Sequence, residues 1–444
     1  MQHGAALGPM TDVCWRNTRR LRGAWFAIGL AALLGACAQK PAAVVPTAPA
    51  IPPAQLEAAT SLGAFYGALD GLRSGTRQDP VVVLQIGDSH TANAVFSARM
   101  RALLQARFGN AGRGILQAGI PFRYYNADGV HVTAKGWTVI SSFRSSSVGP
   151  FGIAGLRQHA AGRAVMTMTG ESAGALDDAS LEVLLQPGGG DIRVSFDTGK
   201  SMLISTDAPV ESAVSVTLPS LGANVMTVKT VNRRPVDLLS WTVQRKDRGV
   251  IYANLGTIGA TVGLIERWDP VIVQQEIARL QPSLIVLEFG TNEGFGDSTD
   301  VDSYGAVYKA QLDLLHQDAP QASVLVIGPP DGVRKWKAGT LNAGNCGVYL
   351  SASGEPEDWV RPKNLDLVRE AQRSVAQQEG FYFWDWSKAM GGACSMAGWA
   401  AMTPPLGARD HVHLLADGYQ KTADQLFNTL MDGYSGYELL KQAH

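Results

Sequence analysis

The sequence carries little charge and few cysteines. Charged residues make up 17% of its 444 residues and the formal net charge is −1. This composition lacks the basic excess of a nucleic-acid-binding protein and identifies no other class of partner. Hydrophobic residues still account for 45% of the chain, which is enough to build sizeable cores. A single core rarely grows beyond about 250 to 300 residues, so the length predicts two domains.

The N-terminal segment contains an apolar run, residues 24–34, that is too short to span a bilayer. Four arginines precede it: Arg16, Arg19, Arg20 and Arg22. The run leads into Leu-Gly-Ala-Cys ending at Cys37, and the whole segment 1–37 resembles a bacterial lipoprotein signal. This resemblance implies cleavage before Cys37, lipidation of that residue and, because Ala38 follows it, anchoring to the outer membrane on the periplasmic side. An uncleaved anchor is the alternative.

The remaining cysteines suggest a disulfide. Of the four cysteines, Cys14 and Cys37 belong to the N-terminal segment. This leaves Cys346 and Cys394 as a candidate pair, since an oxidising periplasm permits disulfides. Two unpaired buried thiols are the alternative.

Composition and patterning predict how the rest of the chain is organised. Residues 38–53 are rich in proline and alanine and suit an extended tether. Residues 121–248 consist of short alternating runs broken by turn residues, which is typical of an antiparallel β-sandwich. This sandwich would be inserted into another domain, formed by residues 54–120 and 249–444. Its aromatic residues would form either a platform for sugar rings or part of the sandwich core; they are Tyr124, Tyr125, Trp137 and Trp241.

The most informative stretch is a buried strand that ends at a serine. Residues 81–86 are aliphatic and β-branched apart from one glutamine, and Gly87, Asp88 and Ser89 follow them. Residues 92–108 have helical spacing, so the turn would present Ser89 at the carboxyl edge of a sheet. That is where an α/β enzyme keeps a nucleophile. An ordinary turn with Ser89 as a helix cap is the alternative.

Two further strand exits carry groups suited to stabilise an oxyanion. Residues 250–252 lead into a glycine turn in which Gly259 can point a backbone N–H into a cavity. The buried strand at 283–289 ends before Asn292, whose amide is a second candidate donor. A further strand, at 323–328, ends before two prolines. Strands alternating with helices predict a parallel, helix-flanked sheet with its site at the carboxyl edge.

The last chemical feature is the pair Asp410 and His413, on a turn before the C-terminal helix. An aspartate three residues before a histidine can fix the imidazole tautomer while the other ring nitrogen faces the serine. Asp410 as a helix cap, with His413 in the core, is the alternative. A metal site using His411 and His413 lacks a third ligand at suitable spacing.

The chain thus carries four sequence blocks: the turns at Ser89, at Gly259, at Asn292, and at Asp410 with His413. In this order, they resemble the four blocks of the SGNH (GDSL-like) hydrolase superfamily. The resemblance implies Ser89 as nucleophile, Asp410 as orienter and His413 as general base. It also implies oxyanion donors at the Ser89 N–H, the Gly259 N–H and the Asn292 side chain. The sequence departs from the family pattern in having Glu293 where Asp is usual, and in the long spacing that the insertion explains.

The chain from about residue 56 onward is similar to periplasmic peptidoglycan O-acetylesterases, in which a jelly roll like those of carbohydrate-binding modules interrupts the SGNH domain. The similar stretches are residues 87–92, 108–114 and 383–392. What the resemblance implies is removal of acetyl groups from O-6 of N-acetylmuramoyl residues, with no metal or organic cofactor. An O-acetyltransferase, an esterase on another exported glycan, and a non-catalytic glycan-binding lipoprotein remain as alternatives.

Overall fold

The computed structural model describes residues 51–336, 344–350 and 356–443, with only the backbone of 348–350 and 356. The predicted signal at 1–37, its lipidated Cys37 and most of the tether lie outside the described residues. No helix within these ranges is both long enough and apolar enough to cross a bilayer.

The described chain has helices interspersed with strands on both sides of residues 112–256, and within 112–256 it has strands only. The helices are α1 (Pro53–Ser61), α2 (Gly63–Ser74), α3 (Ser89–Ala92), α4 (Val95–Phe108), α5 (Pro270–Leu280), α6 (Thr291–Phe295), α7 (Val301–Gln317), α8 (Leu365–Gln378), α9 (Trp386–Met390), α10 (Ser395–Ala401) and α11 (Ala416–Ala443), with a 3₁₀ helix at Val262–Arg267. The strands are β1 (Val81–Gly87), β2 (Gly112–Gln117), β3 (Val130–Lys135), β4 (Thr138–Ser141), β5 (Leu156–Ala160), β6 (Val165–Gly170), β7 (Asp178–Leu185), β8 (Asp191–Phe196), β9 (Ser201–Ser205), β10 (Ser212–Leu218), β11 (Val225–Thr230), β12 (Val236–Gln244), β13 (Val250–Gly256), β14 (Leu284–Glu288), β15 (Ser323–Gly328), β16 (Arg334–Lys335), β17 (Asn345–Leu350), β18 (Pro356–Val360) and β19 (Tyr382–Asp385).

A five-stranded parallel sheet in the order β13-β1-β14-β15-β19 forms the centre of the α/β domain. Every residue of β1 and β14 is buried, because hydrophobic clusters packed under helices cover both faces of the sheet. Gly87, at the end of β1, pairs with Gly256 on one side and Glu288 on the other. The predicted α/β fold is therefore confirmed, and three strand ends meet at one edge.

The inserted part is an antiparallel sandwich, as predicted. One sheet runs β10-β7-β12-β5-β4, with β2 also paired to β12, and the other runs β3-β6-β11-β8-β9. The two sheets enclose a separate hydrophobic core. Strand β2 joins this sandwich although it precedes residue 121, and the predicted domain limits themselves stay predictions.

The structure separates the four aromatic residues that were considered as a sugar platform. Trp241 is fully buried in the sandwich core, and Trp137 and Tyr125 pack against that core. Tyr124 is exposed. Three of the four residues therefore serve the core, as the alternative interpretation had it, and the four do not form a shared surface.

A small three-stranded sheet, β16-β18-β17, lies beside the C-terminal part of the α/β domain. Cys346 in β17 is joined by a disulfide to Cys394 at the start of α10, with the two Cα atoms 5.2 Å apart. Within β18, Trp359 stacks on His411, with 3.6 Å between the ring centroids. This small sheet therefore contacts the turn that carries the predicted Asp and His.

Candidate active site

Ser89 lies at the first turn after the central strand. Asp88 accepts a hydrogen bond from the His90 N–H (2.9 Å) and so caps the short helix α3, whose first residue is Ser89. Gly87 is needed here, because a Cβ at this position would lie 2.3 Å from the Glu288 carbonyl oxygen and from Thr91 Oγ1. The glycine lets the turn close tightly against β14, which presents the serine at the carboxyl edge of the sheet.

A continuous hydrogen-bonded chain joins the predicted nucleophile, base and acid. Ser89 Oγ is 2.9 Å from His413 Nε2, and His413 Nδ1 is 2.7 Å from Asp410 Oδ2. With the carboxylate as acceptor, the proton resides on Nδ1, and Nε2 is left to accept from the serine hydroxyl. The structure thus brings together three residues that are up to 324 positions apart.

The turn that holds this pair is closed by Asp410 itself. Asp410 Oδ1 accepts from the backbone N–H groups of Val412 and His413, both at 3.0 Å. Helix α11 begins only at Ala416, so Asp410 closes its own turn and does not cap that helix. His411 has a φ of +56° and stacks on Trp359. Within the described ranges no group of three potential metal-binding side chains is found.

The environment of the pair shifts both pKa values in the direction that general-base catalysis needs. The hydrogen bond that His413 donates to the Asp410 carboxylate raises the pKa of His413 above its usual range, and burial of the ring opposes this only partly. Burial pushes the pKa of Asp410 upward, but hydrogen bonds from the His413 side chain and from two backbone N–H groups outweigh it, so that the pKa is lowered. Asp410 therefore remains a carboxylate and is placed to stabilise a positive charge on His413.

Gly259 and Asn292, two of the predicted oxyanion donors, lie on neighbouring loops. Gly259, with a φ of +78°, is in the turn after β13, and no acceptor for its N–H is found in the described part of the chain. Asn292, in α6, donates through Nδ2 to the Ala260 carbonyl (2.8 Å) and lies 3.5 Å from Asp88 Oδ2. One amide hydrogen thus ties the two loops together, while the other makes only a long contact to Asp88.

Three buried acids lie beneath this site, and the sequence analysis gave none of them a role in it. Burial raises the pKa of Asp88 to about 7 and that of Glu288 well above its usual range, and it also raises the pKa of Glu293. Glu288 Oε2 accepts from the N–H and the hydroxyl of Thr91. A charged residue inside the apolar run 283–289 was the available signal for Glu288.

Glu293, which stands where the family usually has Asp, has a structural role. Its Oε1 accepts from the Val262 N–H (2.8 Å) and its Oε2 accepts from the Gly290 N–H (3.1 Å). The side chain thereby joins the start of α6 to the 3₁₀ helix that follows the Gly259 turn. It therefore holds the loops that carry Gly259 and Asn292 together without using the Asn292 side chain.

A second histidine adjoins the catalytic pair. The His90 ring lies 5.1 Å from the His413 ring, and its Nδ1 is 2.9 Å from the Tyr419 hydroxyl. Burial lowers the pKa of His90 to about 3, with a further contribution from the charge of His413. His90 therefore stays neutral and packs behind the base. Taken together, Ser89, His413 and Asp410 with the neighbouring Gly259 and Asn292 have the arrangement that acyl transfer requires of a nucleophile, a base, an orienting acid and oxyanion donors.

Comparison with known proteins agrees with this chemistry. Residues 220–421 match the model of the GDSL-like Lipase/Acylhydrolase family. The match covers less than half of the chain. It begins after Ser89 and includes Gly259, Asn292, Asp410 and His413. No curated protein matched the chain.

Solved structures resemble a much larger part of the chain. One described as "Peptidoglycan O-acetylesterase in action, 5 min" has a TM-score of 0.67 and 25% identity, covering 84% of this chain and 96% of that one. An acetyl xylan esterase, AlAXEase, has a TM-score of 0.28 and 16% identity over 41% of this chain and 81% of its own. A family two carbohydrate esterase from Cellvibrio japonicus has a TM-score of 0.25 and 12% identity over 69% and 98%. These last two likenesses are too weak to support an inference about this chain.

The family match covers three of the four sequence blocks, and the first structural likeness extends over both the parallel sheet and the sandwich. The chain is therefore an ester hydrolase that contains a region matching the GDSL-like Lipase/Acylhydrolase family, and it resembles the peptidoglycan O-acetylesterases.

Proposed function

We propose that the protein removes O-acetyl groups from a cell-envelope glycan, foremost from O-6 of N-acetylmuramoyl residues in peptidoglycan. The observation that carries this proposal is the unbroken chain Ser89–His413–Asp410, with its 2.9 and 2.7 Å contacts, at the edge of the parallel sheet. The substrate class is supported by the likeness to a peptidoglycan O-acetylesterase, which spans 96% of that protein.

The first half-reaction forms an acetyl-enzyme. As Ser89 Oγ attacks the acetyl carbonyl carbon, His413 Nε2 accepts the hydroxyl proton. The negative charge that develops on the carbonyl oxygen is stabilised by the N–H groups of Ser89 and Gly259 and by the Asn292 amide. When the tetrahedral intermediate collapses, His413 Nε2 returns its proton to the departing sugar oxygen, leaving acetyl-Ser89 and a free sugar hydroxyl.

The second half-reaction uses the same groups with water. His413 Nε2 accepts a proton from water as the water oxygen attacks the acetyl carbonyl, and the same donors hold the oxyanion. Collapse of this intermediate breaks the bond to Ser89 Oγ, which takes the proton back from His413, and acetate leaves. Asp410 keeps the imidazole oriented in both steps without itself being protonated.

We also propose that the protein acts in the periplasm, held to the outer membrane by a lipid on Cys37. The N-terminal pattern supports this location, and so does the Cys346–Cys394 disulfide, because such bonds persist in oxidising compartments. Fractionating cells that express the full chain tests the placement. Recovery of the protein in the cytosol would contradict it.

The test of function is acetate release from O-acetylated peptidoglycan and from acetylated xylan, using the full chain in mild detergent. We expect release from peptidoglycan, and we expect Ser89→Ala to reduce it by roughly 10⁴-fold or more. Ser201→Ala, which removes an exposed hydroxyl on β9, is the matched control and should keep wild-type activity.

The results separate the alternatives. Release from xylan alone would place the substrate among other acetylated glycans. Acetyl transfer to an added sugar, exceeding transfer to water, would identify a transferase. Turnover that persists in Ser89→Ala would rule out the acetyl-serine mechanism.

A further inference from the structure

One loop of the sandwich reaches the Gly259 turn. It connects β4 to β5 and carries Phe143, whose side chain lies over Gly259: a Cβ built on that glycine would be 3.2 Å from the phenyl Cζ. Gly259 is one of the oxyanion donors of the proposed mechanism. The phenyl ring therefore adjoins the place where the acetyl carbonyl would lie, although the residue itself belongs to the inserted domain and is 50% exposed.

The catalytic domain holds this loop in place. The Arg267 guanidinium donates to the carbonyl oxygens of Ser142, of Arg144 at 2.7 Å and of Ser147 at 2.6 Å. The Ser142 hydroxyl donates to the Gly155 carbonyl (2.7 Å), which closes the base of the loop. Phe143 is thus presented to solvent by an anchored backbone.

A small cavity lies beside this ring, between the two domains. Its volume is about 170 Å³, below the roughly 300 to 1,000 Å³ of pockets that take drug-sized ligands, so it suits a single ring. Its lining includes Phe143, Leu156 and Ile258 as apolar surfaces, and Gln117, Ser141 and Arg144 as polar groups. Apolar surfaces beside hydrogen-bonding groups match a pyranose, which has apolar faces and a hydroxylated rim.

We propose that this cavity is a subsite for one pyranose ring of the glycan next to the acetyl-bearing sugar, with Phe143 as the stacking surface. The proposal rests on the proposed function and deepens it. The exposed Arg144 donates to an oxygen on the rim of the bound ring. The sandwich thus acts through one loop at the Gly259 turn, and preference for a glycan over a small ester arises where the two domains meet.

The test compares kcat and KM for O-acetylated peptidoglycan with those for p-nitrophenyl acetate, in the full chain. Phe143→Ala should lower kcat/KM for the glycan about 10-fold more than for the small ester, mainly through KM. Phe143→Tyr keeps an aromatic face and should retain most of the wild-type kcat/KM for the glycan. Leu203→Ala, which truncates another exposed apolar side chain at a distant strand of the sandwich, should leave both substrates unaffected.

The outcomes distinguish the subsite from the function itself. Equal losses on both substrates in Phe143→Ala would mean that the ring only supports the Gly259 turn, and would overturn the subsite. A glycan-specific loss in Phe143→Tyr as large as in Phe143→Ala would overturn stacking. If the wild type cleaves the small ester but no glycan, the proposed function fails and the subsite fails with it. If the wild type cleaves the glycan and Phe143→Ala matches it, only the subsite fails.

Discussion

At the residue scale, two neighbouring histidines have opposite proton affinities. The rings of His413 and His90 are 5.1 Å apart, yet the Asp410 hydrogen bond raises the pKa of His413 while burial lowers that of His90 to about 3. Only His413 can therefore take up the serine proton. What separates them is a carboxylate partner for His413 and complete burial for His90.

Replacing Asp410 by asparagine should lower the rate, and it should move the rise of activity with pH to a lower pH. His413 must be neutral to act as base, so wild-type activity should rise with pH through a pKa above 6.5. Without the carboxylate that raises this pKa, the rise of activity should occur at lower pH, and kcat should fall by roughly 10³- to 10⁴-fold. Profiles of kcat/KM for a small acetyl ester between about pH 5 and 9 measure both effects.

Asp417→Asn is the matched control for that substitution. Asp417 is exposed in the first turn of α11, and neutralising it should leave the pH profile in place. If activity rises at the same pH in Asp410→Asn as in the wild type, the carboxylate does not set the pKa of His413.

At the scale of elements, the small sheet braces the catalytic turn. Trp359 of β18 stacks on His411, and the Val333 N–H donates to the His411 carbonyl at 3.0 Å. The disulfide between Cys346 and Cys394 joins β17 to the start of α10. The turn with Asp410 and His413 therefore depends on contacts with segments remote from it in sequence.

Removing this disulfide should destabilise the protein. The bond closes a segment of 48 residues, and the loss of that constraint on the unfolded chain is expected to cost about 2 to 4 kcal/mol. Urea unfolding of the oxidised wild type and of the double variant Cys346→Ser, Cys394→Ser measures the difference. A reductant should lower the wild-type midpoint and leave the variant unchanged. A wild type that does not respond to the reductant would contradict the expectation.

At the scale of the whole molecule, the two domains share a buried acid. Glu276 of α5 is fully buried; its Oε2 accepts from the Ile153 N–H (2.7 Å) and its Oε1 accepts from the Ser240 hydroxyl (3.3 Å), both of them sandwich-side groups. Burial raises the pKa of Glu276 to about 7, and the nearby Glu182 adds to the shift while Arg279 opposes it. Contact between the domains is therefore sensitive to pH.

Glu276→Gln should stabilise the protein at alkaline pH only. Because the folded pKa lies above the unfolded value of about 4.5, the folded state binds the extra proton, and stability falls as pH rises from about 4.5 to 7. A glutamine cannot ionise, so the variant should match the wild type near pH 5 and exceed it at pH 8, by up to roughly 3 kcal/mol. Urea midpoints at the two pH values measure this.

Glu57→Gln, at an exposed position in α1, controls for the change of net charge and should show no such pH dependence. A Glu276→Gln variant that is less stable than the wild type at both pH values would mean that the carboxylate form is the one the fold needs.

Much of the fold and of the candidate site could be predicted because it depends on local pattern. Apolar runs that end in polar residues predicted the strands, and the carboxyl ends of parallel strands meet at one edge, which put Ser89, Gly259 and Asn292 near one another. The three-residue spacing of Asp410 and His413 lies within one turn, so their contact needed no information about distant segments. Alternation alone predicted the sandwich.

Packing decided the rest. Whether Trp241 is core or surface, whether β2 pairs with β12, and where Phe143 lies all depend on contacts between segments far apart in sequence. The proton affinities of Asp88 and Glu288 depend on burial, which neighbouring strands and helices create together. The sequence by itself therefore determined the residue types of the site and their order along the chain. Only the tertiary structure decided the proton affinities of those residues, because desolvation arises when the chain packs. It also decided which part of the sandwich meets the Gly259 turn, because that contact joins segments far apart in sequence.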